Sequence, residues 1–158
     1  MKFNTQEEYG LRCLLRIAYS KSQNGLTIPE ISEAEKLTQA NTAKILRSLR
    51  LGGFIESARG QAGGYKLSRP PEEIIVADVL NSLGGKLFEA SFCSDYSGVD
   101  IVCTHSIDCS IRSLWRAVQT AIDGVVTKTS LRDLMAKESL VGDFVNNLIE
   151  ESPTFKIS

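Results

Sequence analysis

The chain has 158 residues, enough for one domain with a substantial core or a smaller domain carrying an extension. Its 42% hydrophobic and 23% charged residues are ordinary for a globular protein, and no apolar run is long enough to cross a bilayer. The net charge of −1 hides an asymmetry: residues 1–70 carry 11 Lys/Arg against 6 Asp/Glu, and residues 71–158 carry 7 against 13.

The opening MKFNTQEEYG holds two acids and no apolar stretch, which argues against a secretory signal and for a cytoplasmic protein with reduced thiols. Basic residues concentrate from Lys36 to Arg69, where seven stand against one acid, Glu56. Such a block fits a polyanion-binding face, with solvated basic surface as the plain alternative.

Residues 4–20 predict a first helix, capped by Asn4 or Thr5, with Tyr9, Cys13 and Ile17 on its apolar stripe. Cys13 reads there as a small buried hydrophobe. After a polar turn at Lys21–Gly25, Thr27 and Pro29-Glu30 open a short helix whose Ile31 and Ala34 would face the core. Thr38 caps the next helix, which buries Ile45, Leu46 and Leu49 and stops at Gly52-Gly53. Two short helices joined tightly, the second carrying Lys44, Arg47 and Arg50, make a helix-turn-helix candidate. Thr38, Gln39, Asn41, Thr42 and Lys44 would then face the major groove, with Arg47 on phosphate or guanine.

Phe54–Ser57 and Tyr65–Leu67 read as short strands around the glycine-rich turn Arg59–Gly64. A hairpin directly after a recognition helix is a wing, which assigns Arg59, Gly60 and Tyr65 to the DNA contact. No Gly-Lys-Ser/Thr follows these glycines, so a nucleotide phosphate loop fits poorly. Arg69-Pro70-Pro71 breaks the chain, and a helix carrying Ile74 to Leu83 ends at Gly84-Gly85. The expected organisation is a DNA-binding domain over 1–70, a cysteine loop and dimerisation helix over 71–135, and an amphipathic segment with a tail over 136–158.

Three of the four cysteines, Cys93, Cys103 and Cys109, fall in one polar loop, with nine and then five residues between them. Structural zinc normally needs four ligands in close pairs, which this loop lacks. Soft thiolates suit iron–sulfur chemistry, and two nearby thiols suffice for a metal-free redox switch. Catalysis fits poorly, because Cys93 or Cys103 with His105 makes no positioned nucleophile and base, and no oxyanion-hole motif accompanies them. From about Ile111 to Thr127 apolar residues recur at three- and four-residue steps, including Leu114, Trp115, Val118, Ile122 and Val125. So apolar a stripe needs a partner, either a second copy in a two-fold dimer or the chain's own N-terminal domain. A capped short helix at Ser130 and one more amphipathic segment from Leu140 to Ile149 follow.

The opening M-K-F-x-T-x-x-x-Y-G-L-R, the hairpin R-G-Q-A-G-G-Y, the three-cysteine loop, S-L-W-R and T-S-L-R-D-L together resemble the IscR/NsrR-type bacterial transcription regulators over about residues 1–135. The resemblance implies a mainly α fold with a small β hairpin, a winged helix-turn-helix plus a long dimerisation helix. It implies a homodimeric repressor or activator that binds a palindromic operator in double-stranded DNA, with no membrane and no small-molecule substrate. It also implies a 2Fe–2S or 4Fe–4S cluster on Cys93, Cys103 and Cys109 that senses iron, redox state or nitric oxide. Two departures stand out. The first cysteine interval is longer than the second, where equal short intervals are commonest, and Arg112 stands where some members have a histidine ligand. Three thiolates leave one terminal position open. Glu8, supplied by the other subunit as in some relatives, is the preferred fourth ligand over His105 and Asp108. A metal-free thiol switch in the same loop is the alternative.

Overall fold

The computed structural model describes residues 4–58, 63–85 and 108–151. Helix α1 spans Thr5–Tyr19. The Asn4 side chain accepts the Gln6 N–H at 2.7 Å, and the Glu7 carboxylate accepts the Asn4 N–H at 2.7 Å. This reciprocal pair satisfies donors that the first turn cannot use internally. Gly10, Cys13, Leu14 and Ile17 form the buried stripe.

Helix α2 (Ile28–Glu35) and helix α3 (Gln39–Leu51) are joined through Lys36, which takes the left-handed conformation at φ 55°. Ala34 does not face the core as expected; it is exposed, and Ser32 is buried beside Ile31. Phase explains the correction. With Glu35 turned toward α1, positions 31, 32 and 35 share the inner face and 33 and 34 point outward.

Strands β1 (Ile55–Ser57) and β2 (Tyr65–Leu67) pair antiparallel, Ile55 with Leu67, Glu56 with Lys66 and Ser57 with Tyr65. Leu26 extends this ladder: its N–H donates to the Tyr65 carbonyl at 3.0 Å, and the Tyr65 N–H donates back at 2.7 Å. The hairpin is thereby tied to the chain just before α2. Gly64 permits the approach, since a Cβ there would lie 2.5 Å from the Leu26 carbonyl carbon.

After one 3₁₀ turn at Pro71–Glu73 come α4 (Val76–Leu83), α5 (Ser110–Val126), α6 (Leu131–Leu134) and α7 (Glu138–Glu151). The core does not stop at the Arg69–Pro71 break. Ile74, Val79 and Leu83 join Leu14, Ile45 and Leu46 in one cluster, and Leu131 enters it at 1% exposure. Two main-chain bonds hold that entry, Val76 N–H to the Thr129 carbonyl at 2.9 Å and Leu131 N–H to the Ile74 carbonyl at 2.8 Å. The Tyr19 hydroxyl adds a bond to the Met135 carbonyl at 2.8 Å.

Helix α5 is thus anchored in the winged-helix body at its C-terminal end. It touches α4 and α7, yet none of its residues is fully buried, and Ile111 and Leu114 are 57% and 59% exposed. Among the described residues the architecture is mainly helical with one two-stranded hairpin, as the sequence implied.

Candidate nucleic-acid interface and cysteine site

Helix α3 has two faces because it must bury one stripe against α1 and α2. Thr42, Ile45, Leu46 and Leu49 make that stripe at the three- and four-residue step of a helix. Opposite it, Gln39, Ala40, Lys44, Arg47 and Arg50 are exposed, and Asn41 is half-buried. Thr38, also exposed, uses its hydroxyl to accept the Asn41 N–H at 3.3 Å, which caps the helix. No ion pair among the described residues uses Lys44, Arg47 or Arg50.

Thr42 requires a correction. It was expected on the groove-facing side, but it is completely buried, and its Oγ1 accepts a hydrogen bond from the Ser32 hydroxyl at 3.0 Å. It precedes Ile45 by three residues and Leu46 by four, which places it on the inner stripe.

At the wing, Arg59 and Gly60 lie outside the described residues. Tyr65 is half-buried and packs against the core, with its main chain paired to Leu26. Lys66 is held across the ladder by Glu56 at 3.2 Å. The base of the hairpin is clamped at Gly53, whose carbonyl accepts from the Ser68 hydroxyl at 2.5 Å and from Arg69 Nη1 at 3.0 Å. The Arg69 guanidinium also stacks 5.3 Å from the centre of the Phe54 ring.

Of the proposed cluster ligands, Cys93, Cys103 and His105 lie outside the described residues. Cys109 is half-buried at the N-cap of α5, where its Sγ accepts the Arg112 N–H at 3.3 Å. Asp108 beside it is exposed. The two acids at the start of α1 have separate duties. Glu7 completes the cap, while Glu8 is exposed and pairs with Arg12 at 3.6 Å. Among the described residues, no three His, Cys, Asp or Glu side chains gather as a metal site. Cys13 is fully buried, and burial, reinforced by the Glu35 carboxylate, pushes its thiol up to about 11. It is a packing residue, as its place on the α1 stripe implied.

Sequence reasoning missed the Glu35 cluster. Its carboxylate, at the end of α2 and only 7% exposed, accepts from Arg12 Nε at 3.1 Å and Arg16 Nε at 2.8 Å. These contacts raise the Arg12 pKa above its ordinary value, the Glu35 hydrogen bond most of all. The signal in the sequence is the four-residue spacing of Arg12 and Arg16, which presents both guanidinium groups on one helix face. What they would meet there is not written locally.

The family described as Rrf2, iron-dependent transcriptional regulator, matches residues 3–137. The protein rrf2 of Nitratidesulfovibrio vulgaris is 32% identical over 140 residues, covering 89% of this chain and 91% of its own. Among solved structures, the IscR of T. potens superposes with a TM-score of 0.66 at 25% identity, covering 88% of this chain and 90% of that one. The oxidised form of Staphylococcus aureus CymR superposes with a TM-score of 0.66 at 26% identity, covering 87% and 98%.

Proposed function

The chain belongs to the Rrf2 family of transcriptional regulators, and from that premise we propose that it binds a palindromic operator as a homodimer under the control of an iron–sulfur cluster. The observation that carries the DNA reading is the outer face of α3. Gln39 and Asn41 stand near its start, followed by the cations Lys44 and Arg47, on a helix whose opposite side is wholly committed to the core. The amide side chains suit adenine edges, and the cations suit phosphate or guanine. Arg59 and Gly60 of the wing would reach the adjoining minor groove. Thr42 takes no part in the contact, being buried.

The exposed stripe of α5 supports the dimer. Ile111 and Leu114, with the half-buried Trp115 and Val118, require a covering surface, and a second copy supplies an identical one across a two-fold axis. Two recognition helices related by that axis read the two halves of a palindrome.

The donor set fits a cluster: three thiols, Cys93, Cys103 and Cys109, lie in one polar segment, and Cys109 is a half-buried residue. A cluster held there would supply a centre whose state responds to iron supply, redox potential or nitric oxide. Glu8 is the proposed fourth ligand, from the other subunit. It is the acid of the first turn that the cap leaves exposed. Because Cys109 caps the start of α5 and the chain just after α5 is anchored through Leu131, a change at the cysteine end would swing a lever fixed at the winged-helix end.

The likeness to CymR, solved in an oxidised form, favours one second reading, a metal-free thiol switch on the same cysteines. Anaerobic purification, absorption and Mössbauer spectra, and operator binding before and after iron removal separate the two. The cluster reading expects a coloured, iron-containing protein whose affinity changes on iron loss. A colourless protein whose affinity responds reversibly to thiol oxidants would establish the switch. Equal affinity for all duplexes in every form would overturn the operator reading.

A further inference from the structure

The structure assigns to Ser32 and Thr42 the positioning of the recognition helix against its partner helix. This inference rests on the operator reading above and concerns how the reading face is aimed. Ser32 is 6% exposed and Thr42 0%, and they form a buried hydroxyl pair between α2 and α3, Oγ to Oγ1 at 3.0 Å. Their neighbours on the two inner faces, Ile31, Ile45 and Leu46, are apolar. Apolar packing is non-directional, so by itself it tolerates a small slide or rotation of α3. One buried hydrogen bond does not, because its geometry is narrow and breaking it strands a polar group.

Ser32 is placed to act as the reference point. Its carbonyl accepts the Leu37 N–H at 3.0 Å, which closes the turn between the helices, while its side chain holds Thr42. Three residues on, Glu35 is gripped by Arg12 and Arg16, so α2 is itself fixed to α1. Thr42 lies one position from Asn41 and two from Lys44. Any turn of α3 that breaks the pair moves both side chains across the DNA grooves.

The test compares Ser32→Ala, Thr42→Val, the double variant and Thr42→Ser. The probes are a duplex that the wild-type dimer enriches from a random-sequence pool and a shuffled duplex of the same composition. Protein in one defined cluster or thiol state is used throughout. Valine is nearly isosteric with threonine, and removing both polar partners avoids a stranded group. The double variant is therefore expected to unfold at a denaturant midpoint close to wild type, while its preference for the enriched duplex over the shuffled one falls on the order of tenfold. Thr42→Ser, which keeps the hydroxyl, is expected to retain the preference. If the double variant folds and discriminates as well as wild type, the pair serves stability alone and the inference is overturned. Should the double variant not fold, equal loss of preference in Thr42→Ser and Thr42→Val overturns it instead. A wild-type protein that enriches no duplex defeats the operator reading, a separate outcome.

Discussion

Cys13 and Cys109 carry the same thiol in opposite settings. Cys13 is sealed in the core with its thiol held near 11, whereas Cys109 caps a helix at the edge of the cysteine segment. Since the thiolate is the nucleophile, Cys13 is expected to resist alkylation at pH 8 in the folded protein. Mass mapping after iodoacetamide, with and without denaturant, checks this; rapid labelling of Cys13 in the native state would contradict its burial. Glu30 shows the converse shift. Hydrogen bonds from the Thr27 hydroxyl at 2.6 Å and the Thr27 N–H at 2.7 Å favour its carboxylate and lower its pKa. A group whose folded pKa is depressed adds stability above its unfolded pKa and loses it as pH falls through the folded one. Glu30→Gln should therefore flatten the acid limb of the stability curve and leave the neutral region nearly parallel to wild type. Thermal midpoints from pH 3 to pH 7 would show it.

At the scale of elements, the wing is held by close approach rather than by its own two short strands. A three-residue pairing is marginal alone, and the added bridge from Leu26 to Tyr65 makes it part of the body. Gly64→Ala would drive a Cβ into the Leu26 backbone. The expected cost is about 1–3 kcal/mol, read as a lower denaturant midpoint, with operator affinity falling as the wing shifts. The glycines were legible as a tight hairpin. That one of them is needed for contact with a segment some forty residues earlier was not, because the constraint comes from a distant backbone. Thr42 makes the same point on a helix. A threonine near the polar start of a helix reads as surface, and only the packing phase of α3 against α2 turns it inward.

For the molecule as a whole, α5 is the unfinished part. Its apolar stripe is partly open, and its return to the core through Leu131 ties whatever covers it to the DNA-binding body. Leu114→Glu should dissociate the proposed dimer. Withdrawing a leucine from a buried interface costs about 2–3 kcal/mol, and a two-fold interface loses one from each protomer, so the dissociation constant should rise by more than roughly two orders of magnitude. Light scattering across a dilution series measures it, and an unchanged dimer would place the interface elsewhere. Glu8→Ala tests the bridge between subunits. Glu8 makes a partly exposed pair with Arg12, so its loss should barely alter folding. The cluster, if Glu8 ligates it, should assemble but bleach faster in oxygen and show an altered absorption spectrum, while Cys103→Ser should prevent assembly. His105→Ala disturbing both properties while Glu8→Ala spares them would move the ligand into the loop.

The sequence by itself determined the local features: caps at Asn4 and Thr38, the two short helices, the hairpin and the long amphipathic helix, each set by periodicity and turn chemistry within a few residues. With the three-cysteine segment, those features sufficed to mark the regulator family. Tertiary structure alone decided what depends on distant partners: the burial of Thr42 by Ser32, the grip of Arg12 and Arg16 on Glu35, and the anchoring of Leu131 beside Ile74. Each of these joins residues on different elements, and their meeting is a property of how whole helices pack.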